Sequence, residues 1–506
     1  MKTRFTLFIA ALTFCLTAVG QVHITIDDPE TWSAQVLSPY VGQTVVFDMP
    51  MIVCANANGN YTVSPWRRFQ PESQGVMGSA EYNETVRINN TCMFSLSGVS
   101  GYHRCGEKIY GLTAKVNSTK SLAMSGGTWK GNTRADLNIL PDLGDYRLLV
   151  CGFNLENYFM TWGSMGADSY YEHQKQRAKI SAALKKINAD IYGLVELQLG
   201  DEAIAEIVSD LNKNISGRNY QFFHDSKTGE YQKVDYVYDA NKVEPIGSPA
   251  ETDVEVQNRK KMLCFRELAT GEKFIYSINH FKAMNTGGAD RRENESKAVV
   301  KLYNSYRQNS NIRENDVLIM GDLNCYAFTD PILVFSHNNM IDLHRAFHAD
   351  SSYSYMYGSV ASYIDHAICN ETLYRQITGM AGYHINSDED DKYNYEKSND
   401  ETMFRCSDHD PVLVGLKLDS MLSHEIKPYI NNATIITGEA NKMVIQNAFT
   451  GEHMSYYAIY RINGLLVEQK EIESEYHEVE LPNQPGVYIV YIYFDGQAYQ
   501  QRLIVR

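Results

Sequence analysis

Val317-Leu318-Ile319-Met320-Gly321-Asp322-Leu323-Asn324 and Cys406-Ser407-Asp408-His409-Asp410-Pro411-Val412-Leu413-Val414-Gly415-Leu416 each join an apolar run to a short polar one. Short apolar runs of this kind read as buried strands. Acids, an amide and an imidazole therefore stand at strand ends, where turn residues are usual. A sheet presents metal and phosphate ligands from a rigid base in this way. Alone, Gly321 to Asn324 reads better as a simple turn.

The sequence around these runs alternates strands with helices. Arg147 to Phe153, Ile191 to Val195, Lys273 to Asn279 and Tyr363 to Cys369 are strand-like. Tyr171 to Asn188 places Ile180, Ala183, Leu184 and Ile187 at helical spacing, and Ile204 to Leu211 and Arg292 to Arg307 continue that pattern. The mixture predicts one α/β domain over 146–420. The run Asp388 to Asp391, in polar surroundings, reads as a solvated loop.

Further polar residues end these strands. Asn154 and Glu156, in Phe153-Asn154-Leu155-Glu156-Asn157, could belong to a cap or turn. Glu196 could be an N-cap or a surface acid, His280 a satisfied histidine, and Asp365 a partner for a nearby Arg. Their shared placement favours a site, because strands of one domain can converge them on one sheet edge. Asn154, Glu196 and Asp408 offer oxygen ligands suited to a hard cation such as magnesium. Asp322 and Asn324, two apart on a short loop, can hold a water and a phosphoryl oxygen on the same side. His280 and His409 can donate to phosphate, and Asp365 could orient an imidazole and favour its cationic form.

At 506 residues the chain exceeds one ordinary core, and its length suggests roughly three domains. In 1–20, Lys2 and Arg4 precede an apolar run ending in Ala18-Val19-Gly20, the pattern of a secretory signal peptide. The expectation is an exported, soluble chain, secreted or held at a bacterial surface, with no later transmembrane span. The formal net charge of −15 excludes an overall electrostatic trap for nucleic acid. A nuclease remains open if divalent cations mask local carboxylates. Eight cysteines follow Cys15, spread too widely for a small disulfide scaffold. Cys92 with Cys105 is the expected disulfide, whereas Cys151, Cys264 and Cys369 read as buried thiols.

Two flanking domains complete the organisation. Over 21–145, short β-like runs with Gly, Asn and Ser punctuation, and no helical period, predict an all-β barrel or sandwich. YVGQTVVFDMPMIVC followed by YTVSPWRRF is similar to the oligonucleotide-binding barrels found ahead of some secreted nuclease domains. Trp66, Arg67, Arg68 and Phe69 could form a stacking and phosphate surface, or be barrel residues and a solvated rim. Over 421–506, strands broken by Asn463-Gly464, Pro485-Gly486 and Asp495-Gly496 predict a small β-sandwich. IYRINGLLVEQK, PNQPGVYIVYIYFDG and QRLIVR resemble the C-terminal sorting domain of type IX secretion cargo from Bacteroidetes; an Ig-like interaction module is the alternative. The resemblance implies secretion machinery as a partner.

The central domain resembles the endonuclease/exonuclease/phosphatase superfamily through FNLEN, LVELQ, INHFKA, GDLNCY, YIDHAI and CSDHDPV, in that order. The resemblance implies the pancreatic-deoxyribonuclease-like fold, a four-layer α/β sandwich of two mixed sheets flanked by helices. It implies Glu196 as principal Mg2+ ligand assisted by Asn154 and Asp408, with Mn2+ or Ca2+ as substitutes. Asp322 would orient or deprotonate the attacking water, with Asn324 holding it. His409, paired to Asp365, would stabilise the phosphoryl group, and His280 would contact phosphate or the leaving oxygen. Arg259, Lys282 and Arg291 are phosphate contacts or solvated surface. Many relatives place Gln before the metal-binding Glu, whereas Val195 precedes Glu196 here, which bears on subfamily. The expected activity is a secreted Mg-dependent phosphodiesterase, foremost a nuclease that cleaves DNA internally, with RNA as a second candidate substrate. A phosphomonoesterase, a phospholipid phosphodiesterase and an inactive surface binding protein are the alternatives.

Overall fold

The computed structural model describes residues 21–25, 29, 32–348, 352–419 and, with short breaks, 434–505. The expected leader at 1–20 and the Asn463-Gly464 and Asp495-Gly496 turns lie outside the described residues. Among the described residues, no helix is long and apolar enough to cross a membrane.

The central region is built on two six-stranded mixed sheets. The first runs in the order Tyr220–Phe222, Gly229–Asp239, Ile191–Leu199, Leu148–Tyr158, Val412–Leu416, Ile377–Gly382. The second runs Val243–Glu251, Lys260–Glu267, Lys273–His280, Val317–Asp322, Asp365–Asn370, Met340–Asp342. Each contains one parallel pair, Leu148–Tyr158 with Ile191–Leu199 and Lys273–His280 with Val317–Asp322.

Strand alternation explains how these sheets are covered. Val150, Leu318 and Met320 point into the space between the sheets with Tyr276 and Val414. Cys151 and Phe153 face the other way, onto Ile180, Leu184 and Ile204 of helices Tyr170–Ile187 and Glu202–Asn214. Ile275 and Ile319 likewise meet Val299 and Phe335 of Ala289–Tyr306 and Asp330–His337. The layers are therefore helix, sheet, sheet, helix. The sheets approach closely at Gly193, where an added Cβ would lie 2.2 Å from the Tyr276 hydroxyl oxygen.

The N-terminal region closes into a five-stranded barrel. Met51–Ala57, Asn60–Ser64, Phe94–Ser97, Ser121–Lys130 and Lys108–Ser118 pair in that order, and the last returns to the first. Trp32, Val53, Phe94, Leu112 and Leu122 fill its centre. The region is not free of helix: Ala80–Asn89 is one, with the Ser79 hydroxyl accepting the Tyr82 N–H at its N-terminus. This helix has few apolar residues and fully buries only Thr85, so no helical period marks it in the sequence. The expected Cys92–Cys105 disulfide is absent; all eight cysteines after Cys15 are free thiols. Cys105 is buried and its N–H donates to the Asp388 carbonyl, while Cys92 bonds its neighbour's carbonyl.

The Cys105–Asp388 contact crosses between regions and corrects the reading of Asp388 to Asp390, whereas Asp391 is exposed as a solvated loop residue would be. The Asp388 carboxylate is fully buried, ion-paired with Arg67 and accepting from Asn132 at 2.7 Å. Glu389 is clamped between Arg104 at 2.5 Å and Arg134 at 2.6 Å. The Asp390 carboxylate accepts the Asn58 N–H. Water is replaced by arginines of the barrel, which is how buried charge is sustained. Arg67 and Phe69 lie in the same contact, Phe69 bridging to Ala361, while Trp66 packs edge-on to Trp32 within the barrel. Trp66 is thus a barrel residue, and Arg67 and Phe69 are tied into the contact between regions.

Farther along, Thr434–Thr437, Lys442–Gln446 and Tyr476–Glu480 form one sheet, and Leu466–Glu471, Tyr456–Arg461, Gly486–Phe494 and Gln497–Val505 another. Met443, Ile445 and Val479 of the first pack on Tyr457, Ile459 and Val490 of the second.

Candidate active site

Strand direction gathers the polar residues on one edge. Asn154 and Glu196 are toward the C-terminal ends of parallel neighbours, and His280 and Asp322 end the other parallel pair. Asp365 begins an antiparallel strand and pairs across from Asp322, while Asp408 and His409 precede the antiparallel Val412–Leu416. His280 is also Asp322's register partner. Gly321 makes this junction: its φ is +125° and an added Cβ would lie 2.0 Å from the Asn279 carbonyl oxygen.

Local backbone irregularity aims the other side. Between Asn154 and Tyr158 the pairing with Val195 and Leu197 slips, a bulge in which Glu156 and Asn157 take φ of +54° and +56°. The Asn157 N–H then donates to Glu196 Oε2 at 2.9 Å. Glu196 itself has φ +64°, a conformation uncommon for side chains other than Gly and Asn and concentrated at functional sites.

The resulting contacts are specific. Asn154 Nδ2 donates to Asp322 Oδ2 at 3.1 Å, and its Oδ1 accepts the Glu156 N–H, leaving a lone pair. Asp322 Oδ1 accepts the Asn324 N–H, and Asn324 Nδ2 donates to the Phe281 carbonyl. His280 Nε2 is 3.6 Å from Glu196 and 3.7 Å from Asp322. His409 Nδ1 donates to Asp365 Oδ2 at 2.7 Å and its Nε2 faces Asp322 at 3.9 Å. Asp408 is 34% exposed, so the edge opens to solvent there.

Burial and crowding of acids shift proton affinity. Asp322 is pushed up to about 8, by burial first and then by Asp365 and Glu196, against the pull of His409. Burial and Asp408 raise Glu196, and the same two causes push Glu156 to about 8. Burial works against the His409 cation, but Asp365, Asp408 and Asp322 together raise it well above the usual histidine range. His280 goes the other way: burial, Arg259 and His409 hold it well below that range, and its buried Nδ1 has no hydrogen-bond partner. The site thus pairs one cationic with one neutral imidazole.

Glu196, His280 and Asp322 bring ligand atoms within 4.8 Å of one another, as do Asp322, Asp365 and His409. The donor set fits a hard divalent cation. Its carboxyls are raised by burial first and by crowding with other acids second, and the ligand atoms on the Glu196 side are mainly oxygen.

Among the softer candidates, Arg259 approaches the cluster. Its carbonyl accepts the His280 N–H, and Glu196 and Asp322 partly offset the burial that lowers its proton affinity. Lys282 follows the His280 strand, its N–H donating to Glu295. Arg291 is exposed and faces Glu255 at 3.7 Å.

Several neighbours have no role in the sequence reading. Glu156 lies two residues after Asn154, held by Asn394 at 3.1 Å and facing Arg405 at 3.6 Å. Ser354 donates to Asp365 Oδ2 at 2.7 Å, and the Tyr355 ring lies 5.0 Å from that of His409. Ser407 Oγ donates to the Asn154 carbonyl. Glu156 shares a motif with Asn154 and was accessible to pattern reading; Ser354 and Tyr355, in a Ser/Tyr-rich stretch, carry no such mark.

Residues 172–409 match the Endonuclease/Exonuclease/phosphatase family, a span that includes Glu196, His280, Asp322, Asp365 and His409 but begins after Asn154. Comparison with curated proteins finds no match. Solved structures similar to the chain include an endonuclease/exonuclease/phosphatase from Bacteroides vulgatus, at 15% identity and TM-score 0.39, covering 54% of this chain and 99% of that one. A Bacteroides thetaiotaomicron mannosyl-6-phosphatase is similar at 18% identity and TM-score 0.39, over 54% and 100% of the two chains. The human Nocturnin catalytic domain with bound sulfate is similar at 13% identity and TM-score 0.40, over 55% and 95%.

Proposed function

We propose that this endonuclease/exonuclease/phosphatase domain is a metal-dependent phosphoester hydrolase, and that its substrate is a nucleic acid phosphodiester, DNA foremost. The observation that carries the hydrolytic reading is the single edge joining Asp322, a raised carboxyl, to His409, a cationic imidazole 3.9 Å away. Glu196, Asn154 and Asp408 would hold a divalent cation, Mg2+ by their hard oxygen donors. When bound, that ion supplies charge neutralisation at the phosphoryl oxygens.

The chain's own residues supply the remainder. Asp322, fixed by Asn154 and the Asn324 N–H and ionised with the help of the His409 cation and a bound divalent ion, takes a proton from the attacking water as its oxygen bonds to phosphorus. Asn324 keeps this loop in register through the Phe281 carbonyl. His409 donates Nε2–H to a phosphoryl oxygen whose charge grows as the bond to the leaving oxygen breaks. Asp365 holds the cation and orientation of that ring. Neutral His280 is placed to donate a hydrogen bond from Nε2–H to the leaving oxygen, which takes its proton from solvent.

The nucleic-acid reading rests on the open edge and what adjoins it. Beyond Arg259 lies a groove of about 530 Å³ lined by Met165, Lys227, Tyr231 and Asn258. Tyr231 is 70% exposed, and its open aromatic face suits a stacked base; Arg259 lines the same groove, whereas Lys227 is paired with Glu251 and the acids Glu230, Asp253 and Glu255 lie alongside. The segment Trp66 to Phe69 does not carry this reading, since Trp66 packs within the barrel and Arg67 and Phe69 contact the central region. Export by the leader and handling by secretion machinery through residues 421–506 belong to the same proposal, supported by sequence resemblance.

Purified protein incubated with plasmid, linear DNA, RNA, phospholipid and p-nitrophenyl phosphate, with Mg2+ or EDTA, tests substrate and metal together. Plasmid nicking that EDTA abolishes is expected. Intact DNA beside hydrolysed phospholipid or monoester would replace the nuclease reading with one of its alternatives.

A further inference from the structure

The hydrolytic residues all lie after residue 146, yet part of their support comes from the N-terminal barrel. Ser354 is the link. Its hydroxyl donates to Asp365 Oδ2 at 2.7 Å and accepts the Asp365 N–H at 3.2 Å; its carbonyl accepts the Asp410 N–H at 2.7 Å. One residue therefore fixes both the carboxylate that holds His409 and the backbone immediately after His409.

Ser354 is in turn held from the barrel side by two routes. Its neighbour Tyr353 donates its hydroxyl to the Asp388 carboxylate at 2.6 Å, and the Arg67 guanidinium both pairs with Asp388 and lies 3.9 Å above the Tyr353 ring. The second route is backbone. The Ala361 N–H donates to the Arg68 carbonyl at 3.0 Å, and the Gln70 N–H to the Ala361 carbonyl at 2.8 Å. Residues Arg68 to Gln70 thus pair with the hairpin Tyr355–Tyr357 and Val360–Ser362 through a single parallel bridge, Phe69 to Ala361. That hairpin carries Tyr355, which bridges to His409, and its Ser362 carbonyl accepts the Ser354 N–H.

We propose that the N-terminal barrel is a working part of the hydrolytic site, with Arg67 a positioning residue that fixes the Asp365–His409 pair through Asp388, Tyr353 and Ser354. The inference rests on the proposed hydrolytic role of that pair. Arg67 is suited because its flat guanidinium pairs with a carboxylate and stacks on a ring at once, which a lysine cannot do. A carboxylate–imidazole pair works only within narrow geometric limits, and its limits are set here by a segment braced from another region.

The test compares full-length wild type with Arg67→Ala, Arg67→Lys, Ser354→Ala and the Arg67→Ala/Ser354→Ala double variant. On the best ester, Arg67→Ala is expected to lose at least about tenfold in kcat with KM changed by less than about twofold, the size usual for residues supporting a reactive pair. Amide hydrogen exchange at 353–366 should accelerate while the barrel strands stay protected. The double variant should lose no more than its worse parent, since both changes break one chain of contacts. Unchanged kcat and exchange in folded Arg67→Ala would overturn the proposal, as would losses that multiply with 353–366 still protected. If Arg67→Ala does not fold, Arg67→Lys is read by the same criteria. Exchange does not depend on turnover, so a wild type that cleaves no ester counts against the proposed function and leaves the positioning claim measurable.

Discussion

Asp365 and His409 meet at 2.7 Å, Oδ2 to Nδ1, although 44 residues separate them in the chain. The carboxylate turns a buried imidazole into a standing cation whose other nitrogen faces Asp322. Asp365→Asn should keep the ring oriented but release its charge. Because Asp365 is the main factor raising His409, the basic limb of the pH–rate profile should move to lower pH in the variant. His409 is raised above its unfolded value, so its stabilisation is complete below that value, near pH 6.5, and is lost as pH climbs through the raised one. NMR titration of the ring checks the shift directly. His409→Ala should lose on the order of 100-fold or more in kcat.

Asp322 illustrates a cost accepted at a site. Its proton affinity is raised to about 8 from 3.8, so ionising it destabilises the folded chain increasingly as pH rises between those values. Asp322→Asn removes the charge and keeps the shape. Metal-free variant protein should be more stable than wild type at pH 8 by about 0.5–2 kcal/mol while losing activity, a trade expected at functional positions. Thermal unfolding at pH 5 and pH 8 measures it, with the gain confined to the higher pH.

Gly193 and Gly321 should differ in their response to alanine. At Gly193 the obstacles are side-chain atoms of Tyr276 and Ile278 rather than backbone, and overpacking should cost about 1–3 kcal/mol with activity retained. At Gly321 the obstacle is the Asn279 backbone, and φ is also +125°. Gly321→Ala should therefore displace Asp322 and lose activity out of proportion to stability. Denaturant unfolding beside kcat separates the two.

Acid should loosen the barrel from the central region. Burial works against the Asp388 charge, but Arg67 and Arg104 hold its carboxyl below the usual 3.8. A depressed carboxylate stabilises the fold above its unfolded value and ceases to do so as pH falls through the folded one, a window below about pH 4. Limited proteolysis between residues 130 and 148 should be slow at pH 7 and rapid near pH 3, and Asp388→Asn should show the rapid pattern at pH 7.

The legible parts of the sequence were those where burial and apolarity coincide. Val317 to Met320 and Ile191 to Val195 are buried throughout, so their strands and the acids ending them could be read directly. Gly229–Asp239 and Lys260–Glu267 were not, because they carry charge into the interior. Lys233 pairs with Asp235 at 2.7 Å and Lys260 with Glu295 at 2.9 Å, which breaks the apolar pattern without breaking the strand. The same limit applies to Asp388 and Glu389. Their arginine partners are 321 and 255 residues away, so an acidic run looked solvated when it is a buried joint. Ser354 was invisible for a related reason: a serine declares its role only by what folding places beside it.

Hydrolysis of plasmid DNA by wild type and Asp322→Asn, each with Mg2+ and with EDTA, tests the central claim most directly. The account predicts cleavage by wild type with Mg2+ alone, and none in the other three reactions. Cleavage that survives both EDTA and Asp322→Asn would contradict it.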